Sequence, residues 1–427
     1  MTDLRLLTFS TLYPNDAAPN HGIFVETRLR HLVRHQPVTS MVVAPVPFFP
    51  FRAPLFGTWA RHARAPHREE RHGLVVHHPR YLVIPRLGMS VAPFLLYQAA
   101  ARALGLLLAE GHRFDAIDAH YVYPDGVAAL WLGRSFNLPV VVTARGSDVT
   151  ACPDYAVPRR LILRTIAEAG ALVAVSEALK YRLIELGGEP GRITVLRNGV
   201  DAALFRPLPR AEARARLGLV RPALVSVGHL IERKGHHRVI AAMSALRELD
   251  LLIVGEGPER ARLSALVGRL GLGGRVRFAG AVRQSELPLY YSAAEALVLA
   301  SSREGWANVL LEAMACGTPV VASNVWGNPE VVMSRDAGRI TTTNTPEAIA
   351  LAVRDLLGAP PSRAATRAYA ERFGWEATSA GQVAVFEAAL RRRGIPAGRD
   401  PRSDRDAGRG SGTPGGIDPS LRWIGPD

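Results

Sequence analysis

The stretch Ala296–Ala322, ALVLASSREGWANVLLEAMACGTPVVA, organises the reading of the whole chain. Residues 296–300 are a short apolar run of buried-strand type, and 301–306 are a polar, glycine-bearing loop where such a strand would open into a cleft. Residues 308–314 suit a short helix, which Gly317, Thr318 and Pro319 stop before the apolar strand 320–322. In open parallel α/β sheets ligands bind outside the carboxyl ends of the strands, so this loop and helix start mark the expected site. Two glutamates, Glu304 and Glu312, sit there with seven residues between them. Glu304 is placed to accept hydrogen bonds from ligand hydroxyls, while Glu312, one turn beyond Asn308 on the same helix face, reaches a second pair. The free amides near Trp306, Ala307 and Asn308 offer donors and a positive dipole end to an anion such as phosphate. A sugar joined to a ribose would use both carboxylates; taken in isolation, the same glutamates would read as solvated surface residues.

The ordered block EGWANVLLEAMACGTPVVAS, residues 304–323, resembles the signature of family 4 of the retaining GT-B glycosyltransferases. The resemblance implies an α/β chain of two Rossmann-like domains facing each other across a cleft. It implies a nucleotide-sugar site in which Glu304 contacts donor-sugar hydroxyls and Glu312 the ribose, with Trp306, Ala307, Asn308 and Val309 around the donor. It also implies transfer without a cofactor or a required metal, and no metal-ligand cluster is read from the sequence. The likeness covers most of residues 1–392, is strongest over 228–330 and weakest over 48–113.

At 427 residues the chain is long for one core, and two domains are the natural expectation. With 48% hydrophobic and 21% charged residues it can bury sizeable cores. Two cysteines far apart, Cys152 and Cys316, and no signal peptide before the apolar start at Leu4 point to a reducing cytoplasm. Cys316 reads as a small buried residue rather than a nucleophile. Fifty-two basic against 38 acidic side chains give a net charge of +14. Such an excess attracts anionic partners: a nucleotide diphosphate, acidic lipid or nucleic acid. No aromatic nucleic-acid motif or zinc spacing supports the last, so no nucleic-acid partner is expected. No uninterrupted apolar run of about 18 residues occurs, and 91–108, interrupted by Gln98 and Arg102, reads as an amphipathic helix.

The first half opens with a strand at 4–9, a loop containing Gly22 and a helix over 24–35, the start of a Rossmann-like unit. Gly22 lets a phosphate approach the backbone, and the family has a glycine-bearing loop here that faces the donor phosphates. Strand 116–119 ends at His120, and strand 140–143 opens into Ala144, Arg145 and Gly146. The resemblance implies that His120 contacts the donor sugar. Family members commonly have His where this chain has Arg145, a permanent cation suited to phosphate or an acidic acceptor. Between these units, residues 48–113 carry Phe48, Phe49, Phe51, Phe56 and Trp59 with nine Arg against three Glu. Aromatic and Arg residues interleaved in this way are the chemistry of an interfacial segment, or of a packed insertion with a basic rim.

The sequence RNGVD at 197–201 resembles the family's hinge, and the domain boundary is placed at Phe205, giving domains 1–205 and 206–375. The second half repeats the βα alternation. Its first turn, GHLIERKG at 228–235, puts Gly228, Arg233 and Lys234 at the crevice, where two cations can neutralise a diphosphate. Lys234 matches the family's phosphate-binding lysine. The family usually has Arg at the position of His229, a charge that Arg233 is expected to supply. Gly255 and Gly257 fall short of a dinucleotide fingerprint because Arg260 replaces its third glycine, which disfavours an NAD oxidoreductase. Residues 376–393 are expected as a helix crossing back to the first domain, and 394–427, with 13 Gly or Pro of 34, as disorder.

These readings converge on a retaining hexosyltransferase whose partners are a UDP- or GDP-sugar and a glycan or lipid-linked acceptor. The expected setting is cell-surface polysaccharide synthesis in the cytoplasm, with peripheral binding to the anionic inner face of the plasma membrane. Lys234, Arg233, Glu304 and His120 are the expected catalytic group. The alternatives are a nucleotide-sugar epimerase on the same fold and a basic nucleic-acid-binding protein.

Overall fold

The computed structural model describes residues 3–84 and 88–393. The expectation for the tail, 394–427, lies outside the described residues. Two open sheets carry the architecture. The first has eight strands in the spatial order Ile193–Val195, Ala171–Ala174, Val140–Ala144, Ala116–His120, Leu4–Phe9, Val38–Val43, Leu74–His77 and Arg68–Arg71. Every neighbouring pair is parallel except the last, whose short charged strand Arg68–Arg71 runs antiparallel along one edge. The second has six parallel strands, Val276–Gly280, Asp250–Val254, Ala223–Val227, Ala296–Leu299, Val320–Ala322 and Gly338–Ile340.

Both sheets reverse their strand order at one place. In the first sheet it lies between Leu4–Phe9 and Ala116–His120; in the second, between Ala223–Val227 and Ala296–Leu299. Loops leaving neighbouring strands at a reversal diverge to opposite faces, so a crevice opens between them at the carboxyl ends. Of the strands that flank it, Ala116–His120, Ala223–Val227 and Ala296–Leu299 are buried along their whole length and Leu4–Phe9 from Leu6 onward, as expected in a sheet covered by helices on both faces.

The helix Trp375–Arg392 ties the end of the chain to the first lobe. Its buried positions Trp375, Thr378, Ser379, Gln382, Val385, Phe386, Ala389 and Leu390 follow a helical stripe. Val385, Phe386 and Ala389 share one core with Leu6, Val25, Leu29 and Val38. Trp375 also stacks on His31, with ring centroids 5.1 Å apart. Losing a fully buried ring such as Phe386 from this seam would cost about 3–5 kcal/mol.

The segment of weakest family likeness departs from a packed core. Phe48, Phe51, Leu55, Phe56 and Trp59 are 50, 56, 80, 36 and 41% exposed. The half-buried Phe49 lies within 5.4–5.8 Å, centroid to centroid, of Phe51, Phe56 and Trp59, so these rings cluster on the surface. The helix Gly88–Ala109 follows; Leu96, Ala100, Leu104 and Leu107 bury one side of it in the first core, while Met89, Phe94 and Leu106 stay exposed. It is the one helix among the described residues long and apolar enough to cross a membrane, yet its buried stripe is that of a core-packing helix.

Candidate active site

A cleft of about 1010 Å³ lies between the carboxyl edges of the two sheets, lined by residues of both lobes. On the second-lobe side the strand Ala223–Val227 leads into Gly228–Lys234, and Ala296–Leu299 leads into the loop carrying Glu304. These two loops meet. Lys234 Nζ donates to Glu304 Oε1 at 2.5 Å, Ser301 Oγ donates to the same oxygen at 2.8 Å, and Arg233 Nη1 lies 3.8 Å from Oε2. Burial alone would push the Glu304 carboxyl up, but Lys234 and Arg233 outweigh it and hold it below the ordinary carboxylate value. The site therefore holds two cations around one ionised, nearly buried carboxylate, with net positive charge facing the cleft.

The helix Asn308–Ala315 begins next to this cluster, and the N–H groups of Trp306, Ala307 and Asn308 have no acceptor among the described residues. Trp306, Ala307, Asn308, Val309 and Glu312 all line the cleft. Glu312 differs in chemistry from Glu304. It accepts a 2.9 Å hydrogen bond from the Tyr291 hydroxyl inside the second lobe, and burial pushes its carboxyl up to about 7, with Tyr291 and Gln284 only partly opposing the shift. One site thus contains an ionised carboxylate clamped by cations and a second that shares its proton with solvent near neutrality.

Two glycines set the close approaches. Gly22 has φ +66°, and a Cβ there would lie 2.2 Å from the Leu12 carbonyl carbon, so this cleft-lining turn before the helix Ile23–His35 admits no side chain. Gly305 comes so near the first lobe that a Cβ would sit 2.0 Å from the Arg145 carbonyl oxygen. Glu330 strengthens the same seam: its carboxylate accepts the Glu177 and Ala178 N–H groups at 2.9 Å each, capping the first-lobe helix Glu177–Glu185, and pairs with Arg197 at 2.9 Å. Arg303 Nη1 donates to the Thr150 carbonyl at 3.1 Å.

The structure places His120 beneath the cleft wall rather than in it. The ring is fully buried and forms no part of the cleft wall. Its Nε2 lies 3.2 Å from Asp118 Oδ2, two residues back on the same strand face, and Nδ1 lies 2.8 Å from Arg145 Nη2. It supports Arg145 from beneath, and Arg145 is the residue that reaches the cleft. Burial lowers the Arg145 guanidinium to about 10, with Asp118 and Asp148 opposing, so it stays charged at neutral pH. Arg145 Nη1 and the buried Arg28 Nη1 both donate to Asn198 Oδ1 at 3.1 Å, while Asn198 Nδ2 donates to Asn308 Oδ1 at 3.1 Å. A hydrogen-bonded chain therefore runs from His120, beside Asp118, through Arg145 and Asn198 to the first residue of the ligand-facing helix. Gly228 lines the cleft beside Lys234, and His229 lines it too.

Sequence reasoning missed Ser301, Tyr291, Asn198 and Glu330. Ser301, three residues before Glu304 in the same loop, was within reach of inspection; the other three meet their partners only through the tertiary fold. Cys316 is fully buried, as expected of a small core residue, and burial pushes its thiol up to about 12.

Comparison with known proteins agrees with this architecture. The family described as Glycosyltransferase Family 4 matches residues 25–204, and that described as Glycosyl transferases group 1 matches residues 210–373. The D-inositol 3-phosphate glycosyltransferase of Kineococcus radiotolerans is 32% identical over 71% of this chain and 79% of its own length. The protein of the same description from Thermobispora bispora is 35% identical over 68% of this chain and 74% of its own. Among solved structures, sucrose-phosphate synthase from Thermosynechococcus elongatus superposes with a TM-score of 0.76 at 22% identity, covering 91% of this chain and 100% of that one. Anabaena HepE in complex with UDP and glucose superposes with a TM-score of 0.69 at 21% identity, covering 90% and 100%. With two matched families abutting near the hinge and a cleft between two Rossmann-like lobes, this chain belongs to the family 4 GT-B glycosyltransferases.

Proposed function

We propose that this protein is a retaining glycosyltransferase that moves a hexosyl group from a UDP- or GDP-sugar to a glycan or lipid-linked acceptor, in cell-surface polysaccharide synthesis. The observation that carries the reading is the convergence of Lys234 and Arg233 on Glu304 beside the free amides of Trp306–Asn308. A departing nucleoside diphosphate gains negative charge as the anomeric C–O bond breaks. Two fixed cations and a helix N-terminus are the groups that stabilise it, and they do so without a metal ion. Glu304, held ionised, orients the sugar by accepting its hydroxyls. Glu312 accepts the ribose hydroxyls. The new bond forms from the acceptor oxygen on the face the diphosphate leaves, and the acceptor proton passes to a donor phosphate oxygen. The HepE crystal structure is a complex with UDP and glucose, which fits this donor class.

The exposed ring cluster supports a location. Between Phe48 and Arg68 the sequence has four Arg and no Asp or Glu. Phe48, Phe51, Leu55 and Trp59 would enter the headgroup layer, and Arg52, Arg64 and Arg68 would meet anionic lipid on the cytoplasmic face of the plasma membrane. Arg61, on the same short helix as Arg64, lines the cleft.

The test is product analysis. Incubation with UDP- and GDP-hexoses and acceptor, followed by NMR of the new anomeric centre, should show the donor's configuration, with turnover unchanged by EDTA. An inverted anomeric centre would reject the retaining assignment. An epimerised sugar from donor alone would favour the epimerase.

A further inference from the structure

Arg145 is a fixed cation in the cleft that takes no part in the cluster around Glu304. It follows the strand Val140–Ala144, and the Asp148 carboxylate holds its turn, accepting the Gly146 N–H at 2.7 Å and the Arg145 N–H at 3.2 Å. The guanidinium lies over the Phe24 ring, 5.3 Å from its centroid, with Nη1 donating to Asn198 Oδ1 and Nη2 to His120 Nδ1. Both partners are neutral: a histidine that accepts at Nδ1 carries its one proton on Nε2. Nε has no partner among the described residues. One N–H on each Nη is also left over, the fork that a carboxylate takes in bidentate fashion.

The acids nearest Arg145 stand behind the wall. Asp118 and Asp148 are buried, neither pairs with its guanidinium, and the same two serve Arg28, a fully buried cation whose Nε and Nη2 lack partners among the described residues. In the cleft, Glu304 is tied to Lys234 and Glu312 to Tyr291. Asp201 lies 3.8 Å from His31 Nε2 and accepts the Ala203 and Leu204 N–H groups at 3.1 and 3.0 Å. Glu256, exposed on the second lobe, makes no pair with Arg145. The backbones of Gly146 and Gly305 abut: a Cβ on Gly146 would lie 3.3 Å from the Gly305 nitrogen, and one on Gly305 2.0 Å from the Arg145 carbonyl oxygen. Asn198 links the guanidinium to Asn308. Arg145 therefore borders the Glu304 loop and the helix start that would hold the hexosyl group, on the opposite wall from Lys234.

We infer that Arg145 is a specificity-determining residue that pairs with a carboxylate on the donor sugar, so that the hexosyl group transferred is a hexuronic acid. The inference rests on the glycosyltransferase reading above and names the class of its donor sugar. The carboxylate passes through the reaction unchanged: the C1–O bond breaks with its electron pair leaving on the diphosphate, the acceptor oxygen bonds to C1, and the acceptor proton goes to the diphosphate. A neutral hexose in the same place would cover the guanidinium, already only 8% exposed, and replace its remaining water with hydroxyls that bring no countercharge. A carboxylate supplies two charge-assisted bonds instead. A site built to pair a charged group discriminates strongly against the ligand that lacks the partner.

Calorimetric titration with matched donors reads the preference directly. The pairs are UDP-glucose and UDP-glucuronic acid, UDP-galactose and UDP-galacturonic acid, and GDP-mannose and GDP-mannuronic acid, with free UDP and GDP as references. In at least one pair the uronic acid should bind at least about tenfold tighter than the neutral sugar, the scale of one charge-assisted contact. Arg145→His should remove that preference while leaving the affinity for free nucleotide unchanged, and Arg145→Lys should keep part of it. The ratio in the parent needs no variant, and melting temperatures check that both variants are folded. Equal or tighter binding of the neutral sugar in every pair overturns the inference, as does a preference that persists in folded Arg145→His. Where free nucleotides bind and the preference is absent, this inference alone falls. Where no nucleotide or nucleotide sugar binds, the donor reading falls and takes the inference with it.

Discussion

Replacing Glu312 by Gln tests the electrostatics of the site through stability alone. The Glu312 carboxyl is pushed up to about 7 in the folded protein from an ordinary value of 4.5. The folded state therefore holds this proton more tightly than the unfolded state. Between those two values stability falls as pH rises, and above pH 7 the whole penalty is present. At about 1.36 kcal/mol per pH unit the full penalty is about 3 kcal/mol, of which about 2.5 kcal/mol accrues between pH 5 and pH 8. Gln is nearly isosteric, keeps an oxygen to accept from Tyr291, and cannot ionise. The variant's stability relative to the parent should thus improve by about 2.5 kcal/mol on going from pH 5 to pH 8. At about 2–4 °C per kcal/mol for a unit of this size, the melting temperatures should diverge by roughly 5–10 °C. Differential scanning calorimetry of both proteins at the two pH values measures this, and any constant offset from the amide cancels. A difference that does not change with pH would refute the reasoning, because the carboxyl would then not be held proton-bound by its surroundings.

Lys234→Ala and Glu304→Ala should each lower turnover roughly a hundredfold or more, the scale of losing a charged transition-state contact, in steady-state assays of folded enzyme; near-normal rates in either would reject its role. Glu312→Gln should weaken binding of both the free nucleoside diphosphate and the nucleotide sugar, whereas Glu304→Gln should weaken mainly the sugar-bearing ligand; titrations giving equal losses throughout would show the division of labour is wrong. Gly305→Ala, whose Cβ would meet the Arg145 carbonyl, should depress turnover while leaving nucleotide binding by the second lobe intact, and an unchanged rate would mean the lobes need not approach this closely. The protein should co-sediment with anionic but not neutral vesicles, lose that binding in high salt, and lose it in a Phe51, Leu55 and Trp59 triple Ser variant; protein left in the supernatant with anionic vesicles at low salt would end the membrane assignment.

The fold was legible where local and global preferences agree. Residues 251–254 and 297–299 are unbroken apolar runs, and 224–227 is an apolar run interrupted only by Ser226; all lie between helical stretches, and each is an interior strand. Ser176 caps its helix as its position before Glu177 suggests, with Oγ accepting the Leu179 N–H at 3.2 Å. The segment 48–113 was not legible, because surface rings and core rings have the same composition; only the structure shows Phe51 outside. Of the site, Glu304, Arg233 and Lys234 stand on the connections that leave two neighbouring strands, and Glu312 on the helix that follows one of them, so their place at a crevice follows from strand order. His120 stands at a strand end as its sequence suggests, but its cover was not legible: Arg145, 25 residues on, lies against its ring and is itself held by Asn198, a long-range arrangement no local pattern encodes.

Binding of a nucleotide sugar between the lobes, with its diphosphate on Lys234 and Arg233, underlies every functional step proposed for this protein. Calorimetric titration of the parent and of Lys234→Ala with UDP-, GDP- and ADP-hexoses addresses it without any acceptor. Saturable one-to-one binding of a nucleotide sugar to the parent is expected, weakened at least about tenfold in Lys234→Ala. Absence of binding by every nucleotide sugar, or equal affinity in parent and variant, would contradict it.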